Sequence, residues 1–105
     1  MRVDAKTAIL QALTEGEGFG LEIQSRIETR TAGRICLSGG SIYPGLRELE
    51  RQGLIESFEG ETVPERLGRP RVYYRLTGEG RRVAQEEREE AQGLFGLGRQ
   101  EPAFG

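Results

Sequence analysis

The chain has no histidine and no tryptophan, one cysteine and a single lysine. Without histidine, the commonest general base and the commonest metal ligand are both missing. One cysteine, Cys36, cannot close an internal disulfide or build a zinc cluster, and it fits a reducing compartment. Arg34 is the only nearby group that would depress its pKa, so a buried and inert thiol is expected. No apolar run approaches the roughly 18 residues of a membrane span, so no membrane partner is expected. The N-terminus lacks a basic-then-apolar signal pattern, which predicts a cytoplasmic location. Gly16, Gly18 and Gly20 alternate, but no strand precedes them as a dinucleotide fingerprint requires. The acidic run from Glu86 to Glu90 reads as a solvated helix face. Nothing here supports catalysis, and neither an enzyme nor a cofactor is expected.

What is present suits one small soluble domain. The 105 residues are 35% hydrophobic and 30% charged. A domain of this size gains from burying apolar surface in a dimer. The net charge of −2 is unevenly spread. Residues 62–76 carry Arg66, Arg69, Arg71 and Arg75 against Glu65 alone, a local excess of positive charge. For docking a polyanion the local field matters more than the total. The preference for arginine over lysine is explained most simply by a GC-rich coding sequence.

Asp4 predicts an N-cap for a first helix over Ala5 to Thr14, with Ile9, Leu10 and Leu13 as its apolar stripe. A second helix is expected from Gly20 to Thr31, burying Leu21, Ile23 and Ile27. Arg34-Ile35-Cys36-Leu37 is short and β-prone, and is expected to pair weakly with a later hairpin. A third helix starts near Gly40, because Pro44 is tolerated only close to a helix start. Ile42, Leu46 and Leu49 give it one buried face, and Gly53 ends it. Leu54 to Glu59 reads as a strand, and Gly60 to Pro70 as a polar loop. Arg71 to Leu76 is a second strand, with Arg71, Tyr73 and Arg75 on one side and Val72, Tyr74 and Leu76 on the other. Thr77 caps a fourth helix reaching Gln92. The expected fold is mostly α with a small β-hairpin, a winged helix-turn-helix with an added C-terminal helix. Residues 1–76 would form the DNA-binding domain, 77–92 the added C-terminal helix, and 93–105 a Gly-rich tail, whether ordered or not.

Four segments carry a family resemblance: Ile9-Leu10 through Glu15-Gly16; Gly20-Leu21-Glu22-Ile23; Gly40-Ser41-Ile42-Tyr43-Pro44 with Leu46, Leu49, Glu50, Gly53, Leu54 and Ile55; and Gly68-Arg69-Pro70-Arg71 with Tyr73-Tyr74-Arg75-Leu76-Thr77 and Gly80. In this order and spacing the chain resembles the PadR-like family of bacterial transcription regulators. The resemblance implies a homodimeric repressor on palindromic promoter DNA, with a recognition helix near 40–52 and a wing near 60–71. It implies dimerisation through the C-terminal helix, helped by the first, and response to small aromatic or drug-like effectors. Phe19-Gly20-Leu21 stands where the family often has His-Gly-Tyr. The absence of tryptophan excludes an indole sandwich for an effector. The fourth helix is unusually polar for a dimer element.

The expected DNA-binding residues are Gly40, Ser41, Tyr43 and Arg47 on the third helix and Arg66, Arg69 and Arg71 on the wing. Arg47 has the reach to fork onto a guanine edge. Ser41, Tyr43 and the Gly40 N–H suit phosphates. The expected dimerisation residues are Leu10, Val83, Ala84, Ala91, Leu94 and Phe95, with the last two helping to line an apolar effector cavity between subunits. The partners expected are double-stranded DNA, a second copy of the chain and a small-molecule effector. The competing reading is a winged helix used for protein–protein contact, to which the net acidity and Glu48, Glu50 and Glu61 lend support.

Overall fold

A computed structural model describes residues 4–62 and 67–96. The elements are α1 (Ala5–Leu13), β1 (Gly18–Phe19), α2 (Gly20–Arg30), α3 (Gly39–Arg51), β2 (Ile55–Thr62), β3 (Pro70–Leu76) and α4 (Gly78–Gly96). They form a winged helix: helices α1 to α3 pack together and an antiparallel sheet of order β1-β3-β2 closes one side.

Local chemistry sets the helix ends. The Asp4 carboxylate accepts the Thr7 N–H at 2.8 Å and starts α1. This bond also holds the Asp4 carboxyl below its ordinary pKa. At the end of α3, the Leu54 N–H donates to the Leu49 carbonyl and the Gly53 N–H to the Glu50 carbonyl, both at 3.0 Å. That paired Schellman closure needs a left-handed residue, and Gly53 sits at φ 78°. The Thr77 hydroxyl accepts the Gly80 N–H at 3.0 Å and starts α4.

The core lies where α1, α2 and α3 meet the inner face of the sheet. Ile9, Ile23, Ile42, Leu46, Leu49 and Ile55 are buried there, each burial worth roughly 1.5–3 kcal/mol. Ile42, Leu46 and Leu49 show that the spacing along α3 marks one inward face. Leu21, by contrast, is 64% exposed. Helix α4 docks on α1 through polar bonds. The Gln11 amide donates to the Ala84 carbonyl at 2.8 Å, and Arg88 donates to the Gln11 side-chain oxygen at 3.0 Å.

Besides the exposure of Leu21, the structure corrects the sequence reading in three places. The third strand is Gly18–Phe19, not Arg34–Leu37; it pairs Gly18 with Tyr74 and Phe19 with Tyr73. Residues 34–37 instead form an irregular link, tied down when Gln24 donates to the Leu37 carbonyl. Cys36 on that link is exposed rather than buried. A side-chain hydrogen bond with Glu28 holds its thiol above the ordinary pKa, so it stays in the less reactive form. Helix α3 begins at Gly39, within one residue of the expected start near Gly40, and carries Pro44 inside it. Helix α4 runs on through Gly93 to Gly96, beyond the expected end at Gln92.

Candidate nucleic-acid interface

Helix α3 has two unlike sides. Its inner side is Ile42, Gly45, Leu46 and Leu49, all buried. Its outer side carries Gly39, Gly40, Ser41, Tyr43, Pro44 and Arg47, all exposed. Of the expected contact residues, Gly40, Ser41, Tyr43 and Arg47 therefore share one accessible surface. Ser38 in extended conformation precedes the helix, so its first N–H groups point outward at a helix N-terminus.

Tyr43 is 41% exposed, and the rest of its ring rests on α2. A Cβ placed on Gly20 would lie 2.6 Å from the Tyr43 hydroxyl, so only glycine leaves room for the ring there. Tyr74 faces the same region from β3. Burial pushes its phenol above the ordinary value, with the charges of Glu50 adding to the effect and Arg47 opposing it. Tyr43, Arg47, Glu50 and Tyr74 are thus neighbours across the α3–sheet junction.

Acidic groups punctuate the far end of α3. Arg51 pairs with Glu48, holding that carboxyl below its ordinary pKa. The Ser57 hydroxyl donates to the Glu50 carboxylate at 2.7 Å, which ties α3 to β2. Pro44, Arg47, Glu48, Glu50 and Arg51 line an open, shallow depression.

The outer sheet face has its own pattern. Register places Phe58 opposite Tyr73 on β2–β3 and Phe19 opposite Tyr73 on β1–β3. The three rings form a row across the strands. Phe19 meets Tyr73 edge-on at 5.5 Å, and Phe58 stacks on Tyr73 at 5.7 Å between centroids. Two arginines cover the ends of the row. The Arg71 guanidinium lies 4.5 Å over Phe19, and that of Arg75 lies 4.6 Å over Phe58. Arg75 also pairs with Glu56 at 2.7 Å and Glu17 at 3.6 Å. Its charge is largely compensated at the base of the wing.

Arg71 shares this outer face with Tyr73 and Arg75, as the strand alternation predicts, and not the α3 side. Arg69 is exposed on the loop that leads into β3. Arg66 lies outside the described residues. Among the expected dimer residues, Leu10 and Ala84 are in the core of the single chain, 2% and 1% exposed, and offer little surface to a partner. Val83 packs against that core. Ala91 lines a groove of about 330 Å³ with Ala8, Ala12, Ile27 and Ile35. Leu94 and Phe95 belong to α4, but their side chains lie outside the described part of the structure.

Sequence reasoning missed Phe19 and Arg26 as parts of this site. Arg26 donates to the Gly16 carbonyl at 2.7 Å and the Glu17 carbonyl at 2.6 Å, pinning the approach to β1. A two-residue strand has no periodicity to betray it. The available signal was an arginine and a glutamate four residues apart on α2, just after a glycine-rich turn.

Among the described residues no group of acidic, cysteine or histidine side chains could hold a metal ion, and no helix is long and apolar enough to cross a membrane. The fold is shared with known regulators. A transcriptional regulator from Clostridium thermocellum is 30% identical, with 88% of this chain and 86% of that chain covered at a TM-score of 0.72. A PadR family transcription regulator from Clostridium difficile is 25% identical, covering 91% and 95%, also at 0.72. The circadian clock associated protein Pex from Anabaena is 26% identical, covering 90% and 83%, at 0.66. No curated protein matches the chain. The sequence model of the transcriptional regulator PadR-like family matches residues 9–86, from the first helix through the wing into α4. A winged helix with an exposed recognition surface, the same architecture in solved regulators and this match leave one assignment: the chain belongs to the PadR-like family, and is a DNA-binding transcriptional regulator rather than an enzyme.

Proposed function

We propose that the protein is a homodimeric repressor that reads palindromic promoter DNA. The observation that carries this reading is the two-sided α3: a fully buried apolar stripe, and an outer surface of Ser41, Tyr43 and Arg47 left open to solvent. Helix N-terminal residues meet base edges in the major groove in this motif class, and a dimer sets two such helices about 34 Å apart. Arg69 and Arg71 extend the contact along the wing to phosphates or the minor groove. Arginine–phosphate contacts make the affinity fall with salt.

The second copy is assigned to the α1–α2–α4 groove. Its lining is mainly apolar, with Ala8, Ala12, Ile27, Ile35 and Ala91 contributing. From Gln85 to Gly93 only Glu87 and Ala91 are partly covered, so this stretch of helix has a face for a partner to cover. A small apolar effector would bind along the same groove and bias the spacing of the two recognition helices.

The test is selection from a pool of random duplexes, with sequencing of the retained DNA and sedimentation of the free protein. Enrichment of a two-fold palindrome by a species of twice the chain mass is expected. A monomer without enrichment overturns the reading. One observation favours a second reading, docking of α3 on another protein: Glu48 and Glu50 are held in place on the exposed helix by Arg51 and Ser57. Weak, sequence-blind binding that salt abolishes would favour it.

A further inference from the structure

We infer that Phe19 is a positioning residue for DNA contact, acting through Arg71. The inference rests on the DNA-binding reading above and names a residue that reading does not use.

Phe19 is built into the fold with little freedom. It is the N-cap of α2, and its N–H donates to the Glu22 carboxylate at 3.1 Å. One turn further along the same helix, Arg26 holds the carbonyls of Gly16 and Glu17. The backbone of Phe19 is also paired with Tyr73 in the sheet, and its ring meets the Tyr73 ring edge-on. A ring fixed from the helix side and the sheet side presents one face, and the Arg71 guanidinium lies over it at 4.5 Å. Arginine has many rotamers, and ordering such a side chain on binding costs affinity. A guanidinium already seated on an aromatic face has lost part of that freedom before DNA arrives, while its N–H edge stays available to an anion.

The next residue explains why this place matters. Gly20 gives Tyr43 of α3 its room. The Phe19-Gly20 dipeptide therefore touches the arginine of the wing strand on one side and the tyrosine of the recognition helix on the other. Its clamp to α2 fixes the separation of the two halves of the site.

A double-mutant cycle on the full chain tests this, using a fluorescent duplex carrying the selected palindrome. Phe19→Leu keeps an apolar side chain and removes the π face. It should weaken binding about two- to five-fold, the size expected for one exposed cation–π contact. Phe19→Tyr and Phe19→Trp should restore it. With Arg71→Ala already in place, Phe19→Leu should have no further effect. An equal loss in both backgrounds makes Phe19 merely structural and overturns the inference, as does unchanged affinity in Phe19→Leu. Should Phe19→Leu fail to fold, the unaltered protein still decides: the Arg71 side-chain protons must show an upfield ring-current shift by NMR that the Tyr and Trp variants retain, and its absence removes the seat. A protein that keeps the ring-current shift but binds no duplex fails as a DNA-binding protein, and the positioning role falls with it.

Discussion

The ring of Tyr43 on α3 occupies the space that a side chain at Gly20 on α2 would need. A Cβ there would lie 2.6 Å from the hydroxyl and 2.8 Å from two ring carbons. Gly20→Ala should therefore push the tyrosine outward. Because the ring is partly exposed, the stability cost should sit at the low end of overpacking, about 1 kcal/mol. DNA affinity should fall as the hydroxyl leaves its place. Thermal melts of Gly20→Ala, Tyr43→Ala and the double variant check this: the alanine at 20 should cost almost nothing once the ring is gone. Additive losses would mean that the two residues do not share this space.

Arg47 and Arg69 should fail differently. Arg47 projects from the exposed side of the recognition helix, so Arg47→Ala should relax preference at one base position by about 1–3 kcal/mol. Arg69→Ala should weaken all duplexes similarly and lower the slope of log affinity against log salt by about 1. Titrations against the selected duplex and point variants of it, at several salt concentrations, separate these effects. A uniform loss for Arg47→Ala would move it from base reading to backbone contact.

Gly53 holds the end of the recognition helix at φ 78° with nothing within 4 Å of a prospective side chain. Backbone strain is then the only penalty for alanine. Gly53→Ala should lower unfolding free energy by about 1–2 kcal/mol, the cost of placing an L-residue in the left-handed region. Urea denaturation should show an earlier midpoint with an unchanged slope.

Glu87 makes a prediction about pH. One of its carboxylate oxygens is buried without a hydrogen-bond partner among the described residues. Burial, with repulsion from Asp4 and Glu90 and against a bond from Gln11, holds its pKa above the ordinary 4.5. The folded chain therefore binds this proton more tightly than the unfolded chain. The contribution is present at low pH and is lost as pH rises from the unfolded value through the folded one. Glu87→Gln should raise the melting temperature at pH 7 by about 1–3 °C and have no effect near pH 4. A gain that is the same at both values would point to packing instead of charge.

The parts of this fold that were legible in the sequence are those fixed by neighbours along the chain. Asp4 and Gly53 mark helix ends through bonds that reach only three to five residues, and the Ile42, Leu46, Leu49 spacing marks one helical face. The alternation along β3 likewise separates Tyr73 from Tyr74 before any packing is known. What escaped depends on distant partners. Gly18–Phe19 is a strand only because Tyr73 and Tyr74 pair with it and Arg26 holds its approach. Cys36 has the hydropathy of a core residue, yet its link is fixed through Gln24 and Leu37 and leaves it exposed. The expected end of the fourth helix at Gln92 stood before a Gly-rich stretch, but an interior glycine such as Gly93 costs only about 1 kcal/mol. Arg82, bridging Glu79 and Glu86, helps to carry α4 onward. In the site, the i, i+4 spacing of Tyr43 and Arg47 marks one helical face within the chain's own neighbourhood, whereas the seat of Arg71 on Phe19 joins residues 52 positions apart.

Pro44 gives the recognition helix a mechanical seam. Lacking an N–H, it leaves the Gly40 carbonyl without the rung that any other residue would supply. Ser41 and the exposed glycines lie before that missing rung, and Arg47 lies after it, on the segment anchored by Leu46 and Leu49. In the proposed complex, the segment that carries Arg47, packed on the core, would read fixed positions. The first turn, joined to it by one rung fewer, would settle against a phosphate whose position shifts with the local shape of the duplex. One short helix would thus combine a stiff reader with a compliant foot.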